Sequence, residues 1–314
     1  MRQLTEEILK NSIPEIKGCS KLEEIKKGYS SDRKFRVETA AGEALLLRVA
    51  DVASLERKER EYELMQGLME HGVRCPRAIA LGTIPDIDAC YLLLTYIEGT
   101  DASEGLPQLS EEEQYQVGLE AGRDLRRIHR LEVPEGITPW GPRAEQKYRR
   151  YLEAYRQCGV RVSQDERVEA FIETNINRIM DRPNVFQHDD FHVGNLIVAG
   201  TSYAGVIDFN RFDWGDPVHE FYKVAFFSRE VSLTFCRGQI HGYYDNQVPE
   251  EFWPLYSVYV AMMVFSSVAW SAKVDPEGLE DMVERAHVVL DDHDYFDSVE
   301  PRWYRGGIGQ GGRV

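Results

Sequence analysis

Short apolar runs separated by turn residues dominate the first hundred positions of the chain. Runs with the length and composition of strands span Lys21 to Lys27, Lys34 to Glu38 and Ala44 to Val49. A longer stretch, from about Ala53 to His71, is predicted as a helix. Tyr91 to Leu94 is a further apolar strand. This part of the chain is therefore predicted to be rich in β-structure.

Helical patterns replace the strands beyond Gly99. Ser110 has the character of an N-cap, because three glutamates follow it in the first turn of a helix that extends to about His129. Four further helices are predicted, at Gln146 to Gln157, Asp165 to Met180, Glu250 to Trp270 and Glu277 to Leu290. The pattern as a whole predicts an α+β fold.

The change of pattern divides the chain into two predicted lobes. Residues 1–98 form a small β-rich N-terminal lobe, residues 99–304 form a larger, mainly helical C-terminal lobe, and a hinge is expected at about residues 95–99. Residues 305–314 are a Gly-rich tail that we expect to be flexible. The tail contains the letters G-x-G-x-x-G, but they carry no dinucleotide-binding meaning because no helix can follow them.

The segment that carries chemistry lies between positions 186 and 213. It sets His188, Asp190 and Asn195 in the pattern H-x-D-x-x-x-x-N, and two apolar runs joined by small residues follow. If these runs pair as an antiparallel hairpin, Asn195 comes to lie beside Asp208 at the open end. Oxygen side chains placed there suit a hard cation such as Mg²⁺, and Asp190 can accept a proton from an attacking hydroxyl. Metal-assisted phosphoryl transfer needs this combination.

The same segment resembles the aminoglycoside phosphotransferases and related small-molecule kinases, which share a protein-kinase-like two-lobed fold. The matching letters are HDDFHVGN and VIDFNRFDWGDP. The resemblance implies that Asp190 is the catalytic base and that Asn195 and Asp208 are metal ligands. It makes His188 a second candidate catalytic residue, whose expected task is to brace the loop. Asp189 stands where the family usually has Gly, so a second carboxylate lies next to the base.

The resemblance extends to the third predicted strand. Kinase-like folds place a lysine there and pair it with a helix glutamate. This chain has Arg48 at that position, and Glu61 is the matching helix residue. Arginine binds phosphate through a planar fork rather than a point charge, so phosphate contact by Arg48 is expected. The alternative is that Arg48 is a solvated strand charge.

Two further parts of a nucleotide site are implied. Ser30 and Ser31 lie at a hairpin tip whose backbone N–H groups can cover phosphates. The Thr95 carbonyl and the Ile97 amide are expected to bind adenine by analogy with the family. The implied cofactors are ATP, with GTP as an alternative, and Mg²⁺.

Two rival functions use some of the same residues. His188, Asp190 and His192 could ligate zinc in a hydrolase. No convincing further ligand follows them: His219 is the nearest candidate, and its surroundings read as the start of a packed helix. A pseudokinase would bind nucleotide without turnover, and the presence of Asp190 together with both metal-ligand candidates argues against it.

Composition is that of a folded enzyme with an acidic surface. The chain has 314 residues, 43% hydrophobic and 29% charged, which suits a chain able to bury a large core. Five scattered cysteines and an N-terminus without an apolar leader predict a cytoplasmic protein, and no membrane-spanning run is expected. The net charge of −16 argues against nucleic-acid partners. It reflects either solubility alone or an acidic cleft for a cationic substrate.

The acceptor is the least determined part of the prediction. An aminoglycoside-type antibiotic is the leading acceptor, which would give the enzyme a role in antibiotic resistance. Asp189, Asp291, Asp292 and Asp294 are the candidate carboxylates for its amines. A metabolic kinase acting on a sugar, an amino alcohol or a choline-like amine is the alternative, in which case aromatic residues such as Trp253 and Trp270 would form the binding site.

Overall fold

The computed structural model describes residues 4–26 and 31–305. A five-stranded antiparallel sheet, in the order β1-β2-β3-β5-β4, occupies the N-terminal part. Its strands are β1 (Lys21–Ile25), β2 (Arg33–Glu38), β3 (Ala44–Asp51), β4 (Ala78–Ile84) and β5 (Ala89–Thr95). The predicted strands are present, and β4 is an additional strand that the apolar pattern did not suggest.

The outer face of this sheet is covered by a helix that the sequence did not predict, α1 (Glu6–Ser12). Leu9 on α1, with Ile13 and Ile16 after it, packs on the outward-facing apolar side chains of the sheet, among them Phe35 and Leu47. A helix of seven residues is too short to show a helical period of its own, so only the packing reveals it.

The inner face of the sheet is covered by α2 (Leu55–Glu70). Its buried residues divide into two groups. Leu64, Met65 and Leu68 join the large apolar core of the helical region. Glu61 bonds to Arg48 of β3, and Lys58 bonds to Asp32 just before β2. The helix therefore ties the sheet to the rest of the molecule.

The remainder of the chain is mainly helical, which confirms the predicted α+β fold. Ser110 caps α4 (Glu111–Ile128) with the reciprocal bonds of a capping box. The helix predicted from Asp165 to Met180 is shorter, because α6 (Asp165–Asn175) continues as a 3₁₀ turn. The elements are β6 (Thr100–Asp101), α3 (Ala102–Gly105), α4 (Glu111–Ile128), α5 (Trp140–Gln157), α6 (Asp165–Asn175), β7 (Val185–Gln187), β8 (Leu196–Ala199), β9 (Ser202–Val206), β10 (Asp213–Gly215), α7 (Leu233–Tyr243), α8 (Phe252–Val274), α9 (Leu279–Asp292) and α10 (Arg302–Arg305).

Glycines allow α4 and α7 to approach at backbone distance. A Cβ atom on Gly122 would lie 2.0 Å from the Gln239 carbonyl oxygen, and one on Gly242 would lie 2.1 Å from the Leu119 carbonyl oxygen. Side chains at these positions would push the helices apart. The contact fixes the position of α4, which also packs against β9 of the β8–β9 hairpin.

The helix α8 corrects one expectation. Among the described residues it is the one helix long and apolar enough to cross a membrane, although no such run was expected from the sequence. Of its apolar window, 78% is buried inside the molecule. Burial of this extent is what the central helix of a folded core shows.

Candidate active site

His188 is fully buried and bonds to the backbone on both sides of its ring, in the loop that carries Asp190 and Asn195. Its Nε2 lies 3.0 Å from the Ile207 carbonyl oxygen, and its Nδ1 accepts a hydrogen bond of 3.2 Å from the Asp190 backbone N–H. Burial lowers the pKa of His188, so the neutral ring can donate at one nitrogen and accept at the other. His188 is thus a positioning residue, and it does not line the cleft.

Asp190 lines the cleft and is surrounded by donors. The Asn195 side-chain amide donates to its Oδ2 at 3.1 Å, and Lys223 Nζ donates to its Oδ1 at 2.7 Å. His192 Nε2 lies 3.4 Å from the same Oδ1. Burial opposes ionisation of Asp190, but His192 and Lys223 outweigh it and hold its pKa well below the usual range. Asp190 is therefore a carboxylate at neutral pH.

Lys223 is a site residue that the sequence analysis missed. Its side chain is buried beside the aromatic rings of Tyr222 and Phe227, with Nζ 5.0 Å from each ring centroid. Burial alone would lower the pKa of Lys223, but Tyr222 and Asp190 raise it above its ordinary value. The lysine lies 33 positions from Asp190, so no local spacing could have indicated the pair.

The backbone explains why a glycine is usual at the position of Asp189. This residue has a φ of 60°, in the left-handed region that glycine adopts most easily and that Asp and Asn tolerate better than other residues. Its side chain lines the cleft, and burial raises its pKa to about 6. The substitution of Asp for Gly thus adds a carboxyl group that is only partly ionised in mildly acidic solution.

The two predicted metal ligands converge at the open end of the β8–β9 hairpin. Leu196 pairs with Val206, and the Ile207 N–H donates to the Asn195 carbonyl at 2.9 Å, which sets Asn195 next to Asp208. Asp208 has a φ of 68°, and both residues line the cleft. The buried Oδ1 of Asp208 has no hydrogen-bond partner among the described residues. An unpartnered carboxylate oxygen beside an amide oxygen suits Mg²⁺.

Arg48 is the centre of a buried quartet of charges. It donates to Asp32 through Nε at 3.0 Å and through Nη2 at 2.6 Å, and its Nη1 bonds to Glu61. Lys58 Nζ bonds to Asp32 and, at 3.2 Å, to Glu61. The structure thus pairs Arg48 with the expected glutamate and excludes the solvated-strand alternative, since Arg48 is only 3% exposed. Its bonds in this structure go to carboxylates, and the sequence analysis did not identify Asp32 or Lys58 as its neighbours.

Lys34 lies beside the candidate metal ligand Asp208. It pairs with Arg48 across β2 and β3, and its Nζ lies 3.6 Å from Asp208 Oδ2. The side chain therefore points from the sheet toward the β8–β9 hairpin. Alternation along β2 identifies the inward face, but only the approach of the hairpin shows what that face meets.

Of the remaining residues predicted for the nucleotide site, Ser31, Thr95 and Ile97 belong to the described part of the chain. Ser31 lines the cleft near Asp208, whereas Ser30 lies outside the described residues. Thr95 ends β5, where its N–H bonds to the Arg77 carbonyl at 2.9 Å. Thr95 and Ile97 follow the sheet into the helical region, and their contact with adenine stays a prediction.

Three of the four predicted acceptor carboxylates do not line the cleft. Asp292 forms two bonds to Arg229, at 2.6 and 3.2 Å, and Asp294 pairs with Arg302 and Arg305. Asp291 is exposed at the end of α9. The physical reason is that α9 presents its middle, not its C-terminal end, to the cleft, through Met282 and Arg285. Asp189 is the one member of the predicted set that reaches the cavity.

The zinc alternative lacks a ligand set within residues 4–26 and 31–305. No group of three or more His, Cys, Asp or Glu side chains there is arranged to hold a metal ion. His188 and His192 bond instead to backbone groups of the loop. His219 is buried against Trp140 and Tyr259.

A sheet that carries a buried basic residue paired to a helix acid, followed by a catalytic loop and a hairpin that ends in Asp208, defines a protein-kinase-like phosphotransferase fold. The sequence profile of the phosphotransferase enzyme family matches residues 21–253. The chain belongs to this family and is a phosphotransferase of the kinase type. The predicted resemblance is therefore confirmed.

Solved structures show the same fold at low sequence identity. Aminoglycoside phosphotransferase APH(4)-Ia with ADP and hygromycin B is 16% identical, with a TM-score of 0.67 over 88% of this chain and 96% of the other. The gentamicin complex of APH(2")-IIa is 18% identical, with a TM-score of 0.62 over 91% and 97%. A GDP complex of an aminoglycoside 2'-phosphotransferase is 13% identical, with a TM-score of 0.69 over 94% and 98%. A search of curated protein sequences gave no significant match.

Proposed function

We propose that the protein transfers the γ-phosphoryl group of a nucleoside triphosphate, ATP first and GTP as the alternative, to a hydroxyl group of a small molecule. The observation that carries the proposal is the placement of Asp190. It lines one cleft together with Ser31, the candidate metal ligand Asp208, Tyr151 and Trp270. A hydroxyl group bound in this cleft can reach Asp190 while the phosphates lie against Asp208.

The residues of this chain perform three tasks in such a transfer. Asp190 accepts the hydrogen bond, and finally the proton, of the acceptor hydroxyl, while Asn195 and Lys223 fix the orientation of its carboxylate. Asn195 and Asp208 would hold Mg²⁺, which when bound neutralises charge on the phosphate oxygens. Lys34 adds a positive charge on the sheet side.

The acceptors found in two of the structural neighbours set the first assays. Hygromycin B and gentamicin occupy relatives of the same fold, which supports a hydroxylated acceptor and makes an aminoglycoside-type antibiotic the first compound class to test. Release of ADP should depend on Mg²⁺ and on an added acceptor. Parallel assays with ATP and GTP decide the donor.

The test variant is Asp190→Asn, which keeps the shape of the side chain and removes its charge. Loss of a general base and of acceptor positioning typically costs about 10²- to 10⁴-fold in turnover. We expect kcat to fall by this factor while calorimetry still shows Mg²⁺-nucleotide binding. The matched control is Asp281→Asn, at an exposed position on α9. Unchanged kcat in Asp190→Asn would refute the assignment.

A further inference from the structure

The charge of the cleft differs from that of the whole molecule. Although the chain carries a net charge of −16, the basic residues that line the cleft outnumber the acidic ones. The basic residues are Arg57, Lys147, Arg211, Lys223 and Arg285, against the carboxylates Asp189, Asp190, Asp208 and Asp275. The acidic surplus therefore lies elsewhere on the surface.

Two of the four cleft carboxylates have other partners or tasks. Asp190 is bonded to Lys223, and Asp208 is a candidate metal ligand. Among the basic lining residues, Lys223 is bonded to Asp190 and Arg285 to Glu230. The lining therefore offers a molecule with several ammonium groups no surplus of negative charge.

Part of the cleft lining, which we call the apolar wall, consists of large apolar side chains. Helices α5, α8 and α9 and the segment before α7 each contribute side chains that are partly exposed at the same cavity: Tyr151, Phe227, Met262, Met263, Trp270 and Met282. Large apolar side chains that stay accessible at one concave surface indicate a ligand site. Methionine and aromatic residues adapt to broad, irregular apolar surfaces.

We propose that the acceptor is a bulky, largely apolar alcohol, whose apolar body packs on this wall while its hydroxyl reaches Asp190. This inference deepens the proposed function and rests on it. The cavity volume is about 770 Å³ including the phosphate end, which lies within the range of sites for drug-sized molecules. A polycation would gain little here, because the wall offers no surplus of negative charge.

The reaction is an ordinary phosphoryl transfer. The acceptor oxygen forms a bond to the γ-phosphorus, and the bond from that phosphorus to the β–γ bridging oxygen breaks. The electron pair of the broken bond stays on the departing nucleoside diphosphate. The hydroxyl proton passes to Asp190, and no oxidant or further reactant is needed.

Binding titrations without nucleotide test the acceptor class. We would titrate octyl β-D-glucoside, methyl β-D-glucoside and gentamicin into the protein by calorimetry, with the octyl compound below its micelle-forming concentration. The two glucosides carry the same free hydroxyl groups and differ in apolar chain length. We expect the octyl compound to bind at least about tenfold more tightly, since two buried methylenes already supply this factor. Gentamicin should bind no more tightly than the methyl compound.

Variants on α8 locate the binding. Met263→Glu places a charge on the apolar wall and should remove most of the octyl advantage. Val274→Glu on the same helix, at a residue that is 52% exposed and does not line the cleft, should preserve it. Met282→Glu repeats the test from α9 if Met263→Glu fails to fold, as judged by circular dichroism.

Three results would each overturn the proposal: no octyl advantage, an octyl advantage that survives charge on both wall methionines, or gentamicin as the tightest ligand of the three. Phosphoryl transfer plays no part in these titrations. A failure of the acceptor class is therefore distinguishable from a failure of the proposed function, which the nucleotide assays and Asp190→Asn decide.

Discussion

At the scale of single residues, the backbone of the catalytic loop decides more than the letters suggest. Asp189 and Asp208 both have positive φ angles, 60° and 68°, and both line the cleft. Left-handed backbone turns these carboxylates into the cavity, at a cost of about 1 kcal/mol or more for each non-glycine residue. Such strained positions are typical of functional sites.

The raised pKa of Asp189 predicts how stability depends on pH. Its pKa is about 6 in the folded protein against an ordinary value of 3.8. Between these values the folded state holds a proton that the unfolded chain has released, so stability falls as pH rises from about 4 to 6. A difference of about two units corresponds to at most roughly 3 kcal/mol, and partial exposure reduces it.

The matched variant is Asp189→Asn, which tolerates the same backbone and does not titrate. The free energy of unfolding of the variant minus that of the parent protein should be about 1–3 kcal/mol larger at pH 7 than at pH 4. Urea unfolding at both pH values measures this, with the exposed Asp281→Asn as the control for net charge. An equal difference at both pH values would show that Asp189 does not have a raised pKa.

At the scale of elements, two contacts hold the scaffold that positions the site. The first is the crossing of α4 and α7, where backbone meets backbone at Gly122 and Gly242. The second is the tie between β3 and α2, made by a quartet of two cations and two carboxylates that is at most 7% exposed at any member. Both depend on particular residues rather than on average hydrophobicity.

Substitution of Gly122 tests the helix crossing. In Gly122→Ala the added Cβ would lie 2.0 Å from the Gln239 carbonyl oxygen, so the two helices must separate. We expect a loss of about 1–3 kcal/mol or more in the free energy of unfolding. In the control, Gly67→Ala on α2, the nearest atom lies 3.6 Å away, and improved helix propensity should add up to about 1 kcal/mol. Equal effects of the two substitutions would contradict the close crossing.

Removal of one charge tests the quartet. Glu61→Gln leaves Arg48, Lys58 and Asp32 with an uncompensated positive charge in a buried place. Breaking a buried ion pair from one side typically costs about 3–5 kcal/mol, and we expect a loss of this order in chemical denaturation. Glu59→Gln, at an exposed position two residues earlier, should change stability by less than about 0.5 kcal/mol. A small effect of Glu61→Gln would mean that solvent reaches the quartet.

At the scale of the whole molecule, the strongly acidic net charge of the chain is not reflected in the lining of the cleft. The cleft has basic and acidic lining residues in nearly equal number, although the chain is strongly acidic. The composition allowed two interpretations of the surplus, solubility alone or an acidic cleft for a cationic substrate, and the apolar-alcohol proposal follows the first. Of the four carboxylates predicted to bind a polycationic acceptor, Asp291, Asp292 and Asp294 do not line the cleft, and Asp189 does.

This distribution predicts a weak salt dependence. Salt screens charge with a Debye length of roughly 10 Å at 0.1 M, so the KM of an acceptor held by an acidic cleft should rise severalfold between 0.05 and 0.5 M salt. For an acceptor held by the apolar wall we expect a change of less than about twofold. Initial-rate measurements with the acceptor that gives the fastest ADP release provide the comparison. A steep rise in KM would favour a cationic acceptor.

The sequence by itself determined the class of fold and the type of reaction, which is phosphoryl transfer. The change from strand to helix patterns follows from local periodicity, and the spacing of Asp190, Asn195 and Asp208 follows from the geometry of a hairpin. Both are short-range properties, so they can be inferred from the order of residues alone. The assignments of Asp190, Asn195 and Asp208 to catalysis and metal binding remain predictions for the variants to test.

Only the tertiary structure decided what surrounds those residues. Lys223 meets Asp190 across 33 positions, and Asp32 meets Lys58 across 26. The tertiary packing also pairs Asp292 with Arg229, away from the cleft. Contacts of this kind depend on how whole elements pack, and a linear pattern carries no information on which faces meet. For that reason the apolar wall of the cleft, with methionines and aromatic rings from several helices, became visible only in the folded molecule.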